Sequence, residues 1–123
     1  MPSVSVNYNL AAFTPPKDVT ISWYDRRSAT TACNVVTDPG CSYERFAVQS
    51  NDNGVTFGAN FAVSSGLIPE PDQQDGGVQS CYAGDYDYST ALNAGAFVTW
   101  TDGRVSVGGV QVQNVEFAKV PEP

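Results

Sequence analysis

Hydrophobic and polar residues alternate along much of this chain, and the alternation predicts strands. Ser3 to Tyr8 reads S-V-S-V-N-Y, which places Val4, Val6 and Tyr8 on one face of an extended segment. Val19-Thr20-Ile21-Ser22-Trp23 repeats the pattern, with Val19, Ile21 and Trp23 pointing one way. Tyr43 to Gln49 predicts a third strand and Phe57 to Ser64 a fourth. Thr14-Pro15-Pro16-Lys17-Asp18 is turn chemistry, and Ser28 to Ser42 is a polar loop. No periodicity runs through Gly66 to Gly84, where Pro69-Glu70-Pro71-Asp72 and Asp75-Gly76-Gly77 mark a loop. The order then restarts. Asp85 to Leu92 is strand-like, Asn93-Ala94-Gly95 is a turn, and Ala96 to Thr101 and Val110 to Val120 are strand-like again. The expectation is an all-β chain of antiparallel strands, with one four-stranded unit over residues 1–65. A connecting loop follows at 66–84, and an incomplete second unit at 85–123.

The restart is a repeat. Ile21-Ser22-Trp23-Tyr24-Asp25-Arg26-Arg27 lines up with Val98-Thr99-Trp100-Thr101-Asp102-Gly103-Arg104, sharing [I/V]-[S/T]-W-x-D-x-R. Downstream, Phe46-Ala47-Val48 lines up with Phe117-Ala118-Lys119. Within each copy the Asp and the Arg are two apart, so Asp25 with Arg27, and Asp102 with Arg104, share a strand face and can pair. A residue needed once at an active centre has no reason to recur in each unit. Trp23, Asp25, Arg27, Trp100, Asp102 and Arg104 therefore read as scaffold.

Between the third and fourth predicted strands stands Ser50-Asn51-Asp52-Asn53-Gly54-Val55-Thr56-Phe57. Asp52 can fold its carboxylate onto backbone N–H groups of the turn, and Ser50 can do so more weakly. Gly54 supplies a positive φ, and Phe57 turns a ring back onto the sheet. This S-x-D-x-G-x-T-[F/W] pattern resembles the Asp-box of sialidase-like (BNR-repeat) β-propellers, in which the box closes the hairpin between the third and fourth strands of a blade. Both copies of the Trp motif are similar to the second and third blade strands of that family. Gly84-Asp85-Tyr86-Asp87-Tyr88 resembles the opening of a blade.

The resemblance implies two consecutive four-stranded antiparallel propeller blades, the second incomplete. A closed propeller needs about four to eight blades. Either missing blades of a longer chain complete it, or copies self-assemble into a ring, a trimer giving six blades. Sialidases of this fold use an arginine cluster, a Tyr–Glu nucleophile pair and an Asp acid/base. The F-R-I-P motif that opens their domains is absent, and no catalytic residue carries over by position. The family's boxes are peripheral, so Ser50, Asp52, Gly54, Thr56 and Phe57 are expected to be structural.

Charge narrows the partners. The net charge is −7 with only six Lys and Arg, which argues against nucleic acid and anionic membrane. No histidine is present, which removes the commonest general base and imidazole metal sites. No run of the sequence has transmembrane length, and the start lacks the basic and apolar regions of a signal peptide. Val120-Pro121-Glu122-Pro123 resembles the opening of a bacterial PEP-type surface-sorting tail, which makes a secreted or cell-surface location the expectation.

Of the three cysteines, Cys33 and Cys41 bracket a Pro-Gly turn and form a candidate disulfide, leaving Cys81 over. The alternative is three reduced thiols. Asp72, Asp75, Asp85 and Asp87 are hard oxygen ligands that calcium could use, but they lack the D-x-D-x-D-G spacing of a loop site. A solvated acidic loop and no cofactor are the expectation. Tyr82, Asp85, Tyr86, Asp87 and Tyr88 form a candidate carbohydrate-facing patch. Two functions fit: a non-catalytic glycan- or protein-binding module, or a fragment of an exo-sialidase-type glycoside hydrolase whose catalytic residues lie on other blades.

Overall fold

Strict alternation lets a strand present one side chain set to a core and the other away from it, and two sheets are built this way. The computed structural model describes residues 2–7, 18–29, 41–69, 75–77, 87–92 and 95–121, and among them every paired segment is an antiparallel strand and none is a helix. In chain order these are β1 (Ser3–Val6), β2 (Val19–Asp25), β3 (Ser42–Ser50), β4 (Phe61–Ala62) and β5 (Ile68–Pro69). After them come β6 (Ser89–Leu92), β7 (Gly95–Asp102), β8 (Ser106–Val107), β9 (Val110–Gln111) and β10 (Asn114–Val120).

The first sheet is a meander, β1-β2-β3-β4, with β5 pairing the other end of β3. Val4 stands opposite Ile21, Ile21 opposite Val48, and Trp23 opposite Phe46. One face therefore carries Val4, Ile21, Trp23, Phe46 and Val48. The other carries Ser5, Thr20, Ser22, Tyr24, Arg45 and Ala47. The second sheet has the order β10-β7-β6, with β7 central and a small hairpin, β8–β9, set between β7 and β10. Gly95 opens β7 at a φ of +125°, where an added Cβ would run into the Val120 carbonyl oxygen, so the closest approach of β7 to the end of β10 needs glycine.

The two sheets pack face to back. Ala96, Val98, Trp100 and Val120 of the second sheet bury themselves against Tyr43 and Ile68 of the first, with Tyr24, Val63 and Ala118 at the margin. Ser3 Oγ and Ser89 Oγ share a 2.8 Å hydrogen bond where β1 meets β6. Small Ser and Thr side chains on this face of the first sheet leave room for the partner sheet to come close.

Three expectations change. The fourth strand was expected over Phe57–Ser64, but only Phe61 and Ala62 pair with β3. Both Val63 N and Ser64 N then donate to the Arg45 carbonyl, at 2.7 and 3.2 Å, so two residues face one and the ladder is interrupted as at a bulge. The chain rejoins β3 at β5, where Tyr43 faces Ile68. The start of the expected 66–84 loop is thus a strand of the first sheet. Val110–Val120 divides into β9 and β10, because Val110 and Gln111 fold back on β8.

The downstream alignment of the repeat is also out of register by one residue. Trp23 faces Phe46, whereas its equivalent Trp100 faces Glu116. Glu116, not Phe117, is the counterpart of Phe46. A slip of one flips a side chain to the opposite face, so Phe46 lies beside Trp23 on the front of its sheet, whereas Phe117 lies on the back of the second sheet and is 69% exposed.

Candidate functional site

Two clasps of the same construction sit at the ends of β2 and β7. In the first, Trp23 Nε1 donates to Asp25 Oδ2 at 2.9 Å, and the Arg27 backbone N donates to Asp25 Oδ1 at 2.8 Å. Arg27 Nε and Nη2 reach Asp25 Oδ2 at 2.9 and 2.6 Å. In the second, Trp100 Nε1 donates to Asp102 Oδ2 at 3.2 Å and the Arg104 backbone N to Asp102 Oδ1 at 2.9 Å. Arg104 Nη2 closes the pair at 2.6 Å. Spacing explains the match: in a strand, i and i+2 share a face, so the indole and the carboxylate meet. The next residues turn the arginine back over that carboxylate. Arg27 also lies over the Phe46 ring, 4.7 Å from its centroid, and Arg104 Nη1 donates to Ser65 Oγ at 2.8 Å.

These contacts fix charge. The hydrogen bonds from Arg27 hold the Asp25 carboxyl far below the usual carboxylate range. Burial pushes the Asp102 carboxyl up, but the hydrogen bonds from Arg104 and Trp100 outweigh it and leave it below its ordinary value. Both carboxylates are ionised and engaged, which suits neither for proton transfer near neutrality.

The turn after β3 is built from its own side chains. Asp52 Oδ1 accepts from Ser50 Oγ at 2.7 Å and from Thr56 N at 2.8 Å, and Oδ2 accepts from Thr56 Oγ1. Gly54 N donates to Ser50 Oγ at 2.9 Å. Asn53 and Gly54 both adopt left-handed conformations, with φ of 64° and 80°. The Phe57 ring reaches over Gly54 near Val19 and stays 42% exposed. Beside the turn is an open depression of about 240 Å³, bordered by Asn51, Thr56 and Phe57.

Donors from Thr56, then Ser50, pull the Asp52 carboxyl down to about 2. Its pKa in the unfolded chain is about 3.9, so the stabilisation is complete above that value and is lost as pH falls from about 4 towards 2. Thermal melts of the wild type and of Asp52→Asn across this window should converge at the acid end. Asp52→Ala should lower the melting midpoint at neutral pH, and an unchanged midpoint would contradict the assigned role.

Between the sheets lies a polar cluster that the sequence reading missed. Arg45 is fully buried. Its Nη2 donates to Ser22 Oγ at 3.0 Å, and its Nη1 lies 3.4 Å from Asp87 Oδ2. Tyr24 Oη donates to Asp87 Oδ1 at 2.7 Å and accepts from Thr101 N at 2.9 Å, while Tyr43 Oη donates to the Thr101 carbonyl at 2.9 Å. The Tyr24 and Tyr43 rings meet edge to face at 4.8 Å, and the Arg45 guanidinium sits 4.9 Å from the Tyr24 centroid. Burial, then the bond to Asp87, pushes the Tyr24 hydroxyl up to about 12. Burial also pulls the Arg45 guanidinium below its ordinary value, and Asp87 opposes that shift. The signal the sequence carries is Arg45 set in a strand-like segment beside Tyr43 and Phe46-Ala47-Val48, since a charge drawn into an apolar strand requires a partner.

The structure thus separates the candidate ligand patch. The Asp87 side chain is 5% exposed and joined to Arg45, whereas Tyr88 is 66% exposed. Tyr82, Asp85 and Tyr86 lie outside the described residues, as does Asp72. Asp75 is exposed and accepts from Gly77 N at 2.8 Å. Among the described residues no three His, Cys, Asp or Glu side chains gather as a metal site, and no helix is long and apolar enough to cross a membrane. Cys41 is buried and disulfide-bonded, and both Cys33 and Cys81 lie outside the described residues.

No protein-family model matches the chain, and neither a curated protein nor a solved structure matches it.

Proposed function

We propose that this chain is a non-catalytic module of the sialidase-like β-propeller type, which self-assembles into a ring and binds a glycan or a protein through loops at one end of its blades. The observation that carries the reading is the duplicated Trp-Asp-Arg clasp, made with the same bonds in two consecutive antiparallel sheets. The side-chain-locked turn between β3 and β4 supports it, since it stands where an Asp-box would stand. Asp25, Asp52, Asp87 and Asp102 are each engaged by donors of the same chain, so each has a structural role. The disulfide at Cys41 favours an oxidising compartment, in keeping with a secreted or surface-held protein.

A sialoside hydrolysis assay and a glycan array on the same sample test the proposal. The expected outcome is no turnover, with retention of a glycan that Tyr88→Ala weakens without changing the melting midpoint. Saturable hydrolysis would overturn the reading in favour of a glycoside hydrolase.

A further inference from the structure

Equivalent faces of the two sheets have unequal surroundings. Trp100 and Val98, on the front of the second sheet, are buried by the back of the first. Trp23 and Ile21 occupy the same motif positions on the front of the first sheet and remain partly exposed, with Val4 beside them 59% exposed. The back of the second sheet is open as well, and there Val115 is 73% and Phe117 69% exposed. Register makes these the counterparts of Arg45 and Ala47, which lie fully buried on the back of the first sheet, the face whose Tyr43 packs on the second. One end of the chain offers a front and the other a back, and the chain already contains one front-to-back interface.

The same register supplies a polar contact. Gln49, on the back of the first sheet, donates from Nε2 to the Pro121 carbonyl at 2.8 Å. Lys119 is the counterpart of Gln49, and Asn51 that of Pro121. Both are exposed, and Asn51 borders the depression beside the ionised Asp52 turn, which suits a cation.

Resting on the blade reading, we propose that the front of the first sheet of one copy receives the back of the second sheet of another, head to tail, with Lys119 reaching the Asn51 carbonyl beside its neighbour's Asp52. The two surfaces differ, so the contact is heterologous and closes into a ring when the rotation permits. A face-to-face pair would bring Trp23 to Trp23 and leave Phe117 in water.

Two cross-links test this separately from the blade reading. Ser3→Cys with Ser89→Cys reports sheet packing inside one chain. Asn51→Cys mixed with Lys119→Cys, bridged by a short bis-maleimide, reports docking between chains, with the wild type controlling for native thiols. The proposal expects both links, none in Lys119→Cys alone, and a yield lowered by about tenfold or more by Phe117→Asp, which buries an unpaired charge. An internal link without the mixed one overturns the docking and leaves the blades. A link in Lys119→Cys alone shows an isologous pair and also overturns it. Absence of both removes the blade reading and the docking with it.

Discussion

Arg45→Ala is expected to destabilise the chain by about 3–5 kcal/mol, as removal of one partner from a buried ion pair does. The guanidinium is fully buried, and the Asp87 side chain it faces is 5% exposed. Without Arg45, that carboxylate keeps the Tyr24 hydroxyl as a donor but has no countercharge in its low-dielectric surroundings. The loss also reaches Ser22 and the tyrosine pair that grips Thr101, so the seam between the sheets weakens in one step. The pair is imperfect, because among the described residues Arg45 Nε has no hydrogen-bond partner, and Nη1 approaches Asp87 only to 3.4 Å. Arg45→Met combined with Asp87→Leu should therefore recover most of the lost stability. Urea melts of the two single variants and the double variant give the coupling. A single-variant cost below about 1 kcal/mol, the range of an exposed pair, would contradict the account.

The second large effect separates the two tryptophans. Trp100→Ala should cost about 3–5 kcal/mol, because Trp100 is 5% exposed and part of the core between the sheets. Trp23→Ala removes an indole with the same bond to its aspartate, yet Trp23 is only partly buried, so its cost in dilute solution should be clearly smaller. The difference reports the sheet that covers one ring and not the other. Raising the protein concentration should increase the cost of Trp23→Ala while leaving that of Trp100→Ala unchanged. Equal costs at every concentration would mean that the clasp bond, not the covering sheet, gives these residues their weight.

Much of this architecture is legible in the sequence where period-2 alternation is strong. β1, β2 and β7 fall where Val, Ile and Trp alternate with Ser and Thr, and β3 falls on the Tyr43–Gln49 run rich in aromatic and β-branched residues. The clasps are legible because a repeat shows which residues travel together. Three features were hidden for physical reasons. β5 and the β8–β9 hairpin have strands of two residues, too short for any period to show. Phe46-Ala47 and Phe117-Ala118 look alike, but register is set by what stands across the ladder, and Glu116 stands across from Trp100. The Arg45–Asp87–Tyr24 cluster was missed because it has no counterpart in the second sheet, where Val115 and Thr101 occupy the positions of Arg45 and Tyr24. In the sequence Asp87 reads as part of a solvated acidic loop and of a candidate ligand patch, and only the fold brings it to Arg45 across the seam.

The central claim is that the two sheets are consecutive blades whose outer faces are completed by further blades of the same kind. Its most direct test is the mass of the purified chain in solution, by multi-angle light scattering at micromolar concentration. The account predicts a discrete closed assembly of a few copies, most simply three, giving six blades. A net charge of −7 limits association beyond that. A monomer that melts cooperatively would contradict the account, because it would be stable with Trp23 and Ile21 on one side and Val115 and Phe117 on the other left in water.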